Sequence, residues 1–144
     1  VHYCKGLPRV GDVRGSLLVL QDWSGPDISL RWDGSLMRIQ DKWNASSVQE
    51  KWSAVQRHAS RVPRSFGENL CVNFLSAQSF PRCTPRYFAG LLNPKLCAWI
   101  LRGHLALGII VMDFPTRELI RRIIRTNFVP VLPARHTRVE LFAG

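Results

Sequence analysis

The sequence predicts an α/β protein, a parallel sheet with helices over its faces. Short, nearly all-apolar runs alternate with segments of helical period, and such runs suit strands that are buried on both sides. The clearest of them, Gly108-Ile-Ile-Val-Met-Asp113-Phe, ends on a carboxylate just before a turn and a helix signal. An α/β barrel keeps its chemistry at that end of its strands, although an Asp there can also do no more than cap the following helix.

Residues 16–20 predict the first strand, after a turn at Gly15, and residues 37–40 the second, after the turn-rich Trp32-Asp-Gly34-Ser. Asn44, Ser46 and Ser47 supply helix caps. Val48, Trp52, Val55 and Ala59 then recur at three- and four-residue spacing, which predicts a helix that stops before Pro63. Residues 69–77 predict a long strand, followed by a polar Ser/Pro/Arg loop and a helical signal over 85–101. Asn93-Pro94 interrupts that signal, because proline removes a donor and clashes with the preceding turn, so two shorter helices are expected. Residues 107–114 are the last strand and 116–127 the last helix, leaving 1–128 as one domain. Pro130 and Pro133 predict an extended or disordered tail over 129–144. The four strands are expected as parallel neighbours in chain order, with an unpaired edge.

Several motifs follow one another in a recognisable order: Gly11-Asp-Val-Arg14-Gly, then Ile39-Gln-Asp41-Lys-Trp43 with Glu50-Lys-Trp52 behind it. Leu70-Cys-Val-Asn73-Phe-Leu-Ser76-Ala comes next, and Asn93-Pro94 precedes the Asp113 strand. In this order and spacing, from about Leu7 to about Asn127, the sequence resembles the X-domain of the bacterial and fungal phosphatidylinositol-specific phospholipases C. The resemblance covers the second half of that domain. It implies the carboxyl-terminal part of an irregular TIM (β/α) barrel, a fold that needs about 250 residues when complete.

The resemblance also implies a reaction. In the family the inositol 2-hydroxyl attacks phosphorus after losing its proton to one histidine, and a second histidine protonates the leaving diacylglycerol. Inositol 1,2-cyclic phosphate results, and in the bacterial type neither cofactor nor metal takes part. The histidine pair belongs to the amino-terminal half, whose motifs do not appear in these residues. The chain alone is therefore expected to be inactive as a phosphoric diester hydrolase. The alternative is a non-catalytic remnant that binds inositol head groups or anionic lipid surfaces.

Asp113 matches the carboxylate that orients the base histidine, fixing its tautomer and stabilising the imidazolium. Arg14 matches an arginine that hydrogen-bonds inositol hydroxyls, a task suited to the guanidinium fork; its alternative is an ion pair with Asp12 or Asp41. Asp41 matches an inositol-binding aspartate. Trp43 stands where the family has a tyrosine that stacks on the sugar ring, and an indole keeps the apolar face such a ring needs. Ser16 replaces a family lysine, removing one positive charge.

Twenty Lys and Arg against ten acidic residues give a net charge of +10, which favours acidic partners. The basic residues are scattered without interleaved aromatics, so nucleic acid is not favoured. The densest group, Arg117, Arg121, Arg122 and Arg125, reads as the solvated face of an amphipathic helix. The partners implied are phosphatidylinositol or its head group, an anionic membrane surface, and an amino-terminal half or second copy that covers the open sheet.

Cys4, Cys71, Cys83 and Cys97 form no metal signature; Cys71 and Cys97 read as core thiols, and Cys4 and Cys83 could pair. His2, His58, His104 and His136 stand at no predicted strand end and read as surface residues. No apolar run reaches the ~20 residues of a membrane span. Family members are often secreted or membrane-associated, and nothing in these residues adds an address.

Overall fold

A computed structural model describes residues 6–26, 28–62, 69–79, 81, 83–103 and 107–128. A 3₁₀ turn at Val10–Val13 leads into β1 (Leu20–Gln21), β2 (Leu30–Arg31), β3 (Met37–Gln40), α1 (Val48–Ala59), β4 (Leu70–Phe74), α2 (Pro85–Leu101), β5 (Ile109–Val111) and α3 (Arg117–Thr126). Strands β3, β4 and β5 form one parallel sheet in that order. Strands β1 and β2 form a separate parallel pair.

Each helix begins where a side chain can satisfy its first amides. Ser47 accepts from the Glu50 amide at 3.1 Å, while the Glu50 carboxylate accepts from both the amide and the hydroxyl of Ser46 at 2.7 Å. Lys42 adds an ion pair at 2.7 Å, and these contacts together hold the Glu50 carboxyl down at about 2. Thr84 caps α2 ahead of Pro85, and Thr116 caps α3. Val55, Leu75, Phe88, Leu92, Leu96 and Leu119 are fully buried and join sheet and helices in one core. Gly108 enters β5 at φ +65°, and a Cβ there would come within 2.4 Å of the Cys71 carbonyl, so the strand can lie against β4 only with glycine.

The structure departs from the sequence expectations at three places. Helix α2 is continuous through Pro94. The missing bond falls in a helix anchored on both sides, with Leu92 and Leu96 buried and Asn93 bonded outward, so packing outweighs one lost donor. The first strand does not line up beside β3. Its regular part is Leu20–Gln21, and the buried Gln21 side chain gathers the next loop, donating to the Trp23 and Pro26 carbonyls and accepting from the Ile28 amide and Ser29 hydroxyl. That loop returns Leu30–Arg31 to β1 as its partner, leaving Leu17 and Leu18 exposed. Strands β4 and β5 are shorter than the apolar runs 69–77 and 107–114, because a strand extends only as far as its neighbour. The 129–144 tail lies outside the described residues.

Candidate functional site

Because β3, β4 and β5 are parallel, their carboxyl ends form one edge of the sheet. Gln40 is level with Asn73, and Asn73 with Ile110. Asp41 follows β3 directly, Trp43 lies two residues on, and Asp113 is two residues beyond β5. These three residues therefore share one rim, with β4 between them and about 10 Å from β3 to β5. Asp41 and Trp43 are exposed, and Asp113 is half-buried. The Gln78 amide donates to the Trp43 carbonyl at 2.8 Å, and Asn44 pairs with Gln78, so the rim continues past the strands as a lip.

Beneath Asp41 and Trp43 lies a polar network within an otherwise apolar core. Buried Asn73 donates to the Val55 carbonyl at 3.0 Å and accepts from Gln40 Nε2 at 2.7 Å; the same Gln40 nitrogen donates to the Phe74 carbonyl at 2.9 Å. Gln40 Oε1 accepts from the Lys42 amide at 2.7 Å and from Lys51 Nζ at 3.3 Å. Lys51 Nζ also donates to the Lys42 carbonyl at 2.9 Å. Lys51 is 0% exposed. Burial pushes its ammonium down to about 8; the Asp41 charge opposes that shift and the Lys42 charge adds to it.

The turn carrying Asp113 is held from α2. Asn93 Nδ2 donates to the Asp113 carbonyl at 3.0 Å and to the Phe114 carbonyl at 3.2 Å. Phe114 takes the left-handed conformation, φ 47°, and exposes its ring, with the Arg86 guanidinium 5.8 Å from the ring centroid. Asn93 Oδ1 is buried and has no hydrogen-bond partner among the described residues.

Arg14 closes the 3₁₀ turn and is exposed. Among the described residues it makes no ion pair with Asp12 or Asp41 and no hydrogen bond to the rim. His58 is half-buried, a correction to the surface reading, with its pKa lowered chiefly by burial. It sits in the last turn of α1 beside Arg38, at the amino-terminal end of the sheet and away from Asp113. His2, His104 and His136 lie outside the described residues, as does Cys4; Cys71, Cys83 and Cys97 are free thiols, with Cys71 buried and the other two half-buried. Among the described residues no three His, Cys, Asp or Glu side chains gather as a metal site, and no helix is long and apolar enough to cross a membrane.

The sequence reading missed Lys51 and the amide clamps. Lys51 stands three residues after Val48 and four before Val55, on the buried face of α1, and a lone cation on an apolar face was the available signal. Gln40 and Asn73 were similarly visible as polar residues within apolar runs.

No protein-family model matches the chain. It is 30% identical over 136 residues to the 1-phosphatidylinositol phosphodiesterase of Listeria monocytogenes, an alignment covering 84% of this chain and 41% of the relative. The solved phosphatidylinositol-specific phospholipase C from Listeria monocytogenes superposes with a TM-score of 0.74 at 29% identity, over 85% of this chain and 48% of that one. The Staphylococcus aureus phosphatidylinositol-specific phospholipase C shares the fold, with a TM-score of 0.54 at 22% identity over 65% of this chain and 34% of that one. The chain thus spans less than half the length of the proteins it matches. Over most of its own residues the chain is similar in sequence and fold to the Listeria phosphatidylinositol-specific phospholipase C, matching part of that protein's barrel.

Proposed function

We propose that this chain supplies the inositol-binding side of a phosphatidylinositol-cleaving barrel, with Asp41, Trp43 and Arg14 receiving the sugar and Asp113 orienting a base histidine contributed from outside the described residues. The observation that carries the reading is the shared rim: Asp41, Trp43 and Asp113 stand at the carboxyl ends of parallel strands in a chain that superposes on a phosphatidylinositol-specific phospholipase C. Asp41 offers a carboxylate to vicinal hydroxyls, and the exposed Trp43 ring offers an apolar face to the ring carbons. The half-buried Asp113 carboxylate suits a partner imidazole, which it would hold in one tautomer and stabilise once protonated.

General acid and base groups each contribute roughly 10²- to 10⁴-fold, so a chain without the histidine pair should bind without turning over. The test is complementation. The chain is mixed with a separately produced amino-terminal half of the Listeria relative, and release of inositol cyclic phosphate from phosphatidylinositol vesicles is followed. Activity is expected in the mixture and absent from either part. Asp113→Asn in the mixture should cut turnover far more than affinity, and Arg14→Ala should weaken both. Turnover by the chain alone, abolished by Asp113→Asn, would show that one of its own histidines serves as base and would overturn the division of labour.

A second reading, a head-group or lipid-surface module, draws support from exposed apolar residues at the strand ends. Trp23 follows β1, Trp43 follows β3 and Phe114 follows β5, in a chain of net charge +10. Co-sedimentation separates the readings. Binding to phosphatidylinositol vesicles but equally to phosphatidylserine vesicles points to a surface binder, and a clear phosphatidylinositol preference points to the inositol site.

A further inference from the structure

We propose that Lys51 is a positioning residue for the rim: its ammonium rises from α1 under residues 41–43 and holds the turn that presents Asp41 and Trp43 to an inositol head group. The inference rests on the head-group reading above and adds to it the device that shapes the site.

An ammonium taken out of water is unfavourable unless its protons are matched, and a leucine on this face of α1 would fill the core with no such penalty. Among the described residues no carboxylate lies within 4.0 Å of Nζ, so Lys51 is not half of a buried ion pair. Its ammonium donates instead to the Gln40 side chain and the Lys42 carbonyl.

Those two acceptors lie on either side of Asp41. Gln40 Oε1 in turn takes the Lys42 amide, so both backbone polar groups of Lys42 are occupied by this network. The Lys42 amide belongs to the peptide joining it to Asp41, and the Lys42 carbonyl to the peptide joining it to Trp43. Fixing both peptide planes fixes the two residues proposed to meet the sugar. Gln40 passes the constraint to Asn73 and so to the Val55 carbonyl, which ties the turn to β4 and α1.

One proton therefore governs how firmly the turn is held, since a charge-assisted bond is roughly twice as strong as a neutral one. The charges acting on Lys51 come from the turn itself, Asp41 favouring the ammonium and Lys42 opposing it. From its own helix, Glu50 is engaged by Lys42. The groups from β3 and β4 in this network, Gln40 and Asn73, are neutral, and His58 lies at the other end of α1. The depressed lysine titrates at about 8, so the hold should weaken as pH rises through that value.

The experiment is a pH titration of the intact chain followed by the Trp43 indole and Lys42 amide resonances, alongside Lys51→Met. In the natural chain both signals should move together with one midpoint near 8. In Lys51→Met they should start at their high-pH positions and show no midpoint between pH 7 and 9.5, while Trp52 and Asp113 signals stay unchanged. Myo-inositol 1-phosphate, added at pH 7, should bind at least fivefold more weakly to Lys51→Met. Rim signals that stay still from pH 7 to 9.5 in the natural chain, or that keep their natural positions in Lys51→Met, overturn the proposal. If Lys51→Met does not fold, the titration of the natural chain decides by itself. No response of the natural chain to myo-inositol 1-phosphate sinks the head-group reading, whereas the pH response still decides whether Lys51 holds the turn.

Discussion

Phe114 keeps a backbone conformation, φ 47°, that costs a residue with a side chain about 1–3 kcal/mol. The two bonds from Asn93 Nδ2 to the Asp113 and Phe114 carbonyls offset that cost and set where the Asp113 carboxylate can point. Asn93→Ala should lower unfolding free energy by about 1–3 kcal/mol, measured by urea denaturation, since it strands two partly buried acceptors. An unchanged midpoint would mean that water replaces the amide without penalty. Lys51 carries a second prediction. Its folded pKa, about 8, lies below the ordinary 10.5, so between these values the unfolded chain holds the extra proton and stability rises with pH. Each unit of difference is worth about 1.4 kcal/mol. Cys71, with its thiol raised by burial, pulls the other way above pH 9.0. The comparison with Lys51→Met cancels the thiol, and the variant should lack the rise. The position of Asp41, Trp43 and Asp113 at strand ends was legible because each closes or follows an apolar run within a motif. Lys51 was not, because helical period marks a face as buried without saying that a cation on it will find acceptors there.

Helices were easier to read than strands, for a physical reason. A helix satisfies its own backbone, so its limits are written locally in Ser47, Thr84 and Thr116, and all three serve as caps. Ser47→Ala should cost about 1 kcal/mol in thermal or urea unfolding, whereas Ser53→Ala, inside the same helix, should change little. Equal effects would show that the cap is not what starts α1. A strand is satisfied by another strand, so its limits depend on residues far away in sequence. The run 69–77 stays regular only over Leu70–Phe74, where β3 and β5 lie alongside. For the same reason the Gln21 loop, whose side-chain bonds bring β2 to β1, escaped a reading based on apolar runs. Pro94 was misjudged from the opposite side: the local rule is sound, but α2 packs against both α1 and α3, and that packing carries the helix across one missing bond.

At the scale of the molecule, β5 has β4 on one side and, among the described residues, no strand on the other. Helix α3, which follows β5, buries Leu119 and leaves Ile120 and Ile124 exposed at 42% and 51%, and Phe128 in the turn beyond it is exposed at 81%. These three recur at four-residue spacing and form an apolar stripe beside the exposed Arg117, Arg121 and Arg125. In a complete (β/α) barrel such an edge and stripe are covered by the next strand and helix, and the match spans only 41% and 48% of the two Listeria proteins. The expected outcome is that an amino-terminal half of the Listeria relative binds this chain along that seam. Amide exchange at Ile109, Ile110 and Val111 should slow when the half is added, because an edge strand gains a ladder. Ile120→Lys with Ile124→Lys should abolish that protection while leaving the chain folded, since both positions already face solvent. Arg121→Glu should matter much less, because the arginine row is solvated before and after association. If the two lysines leave protection intact while Arg121→Glu removes it, charge and not apolar burial joins the halves, and the barrel seam lies elsewhere on the molecule.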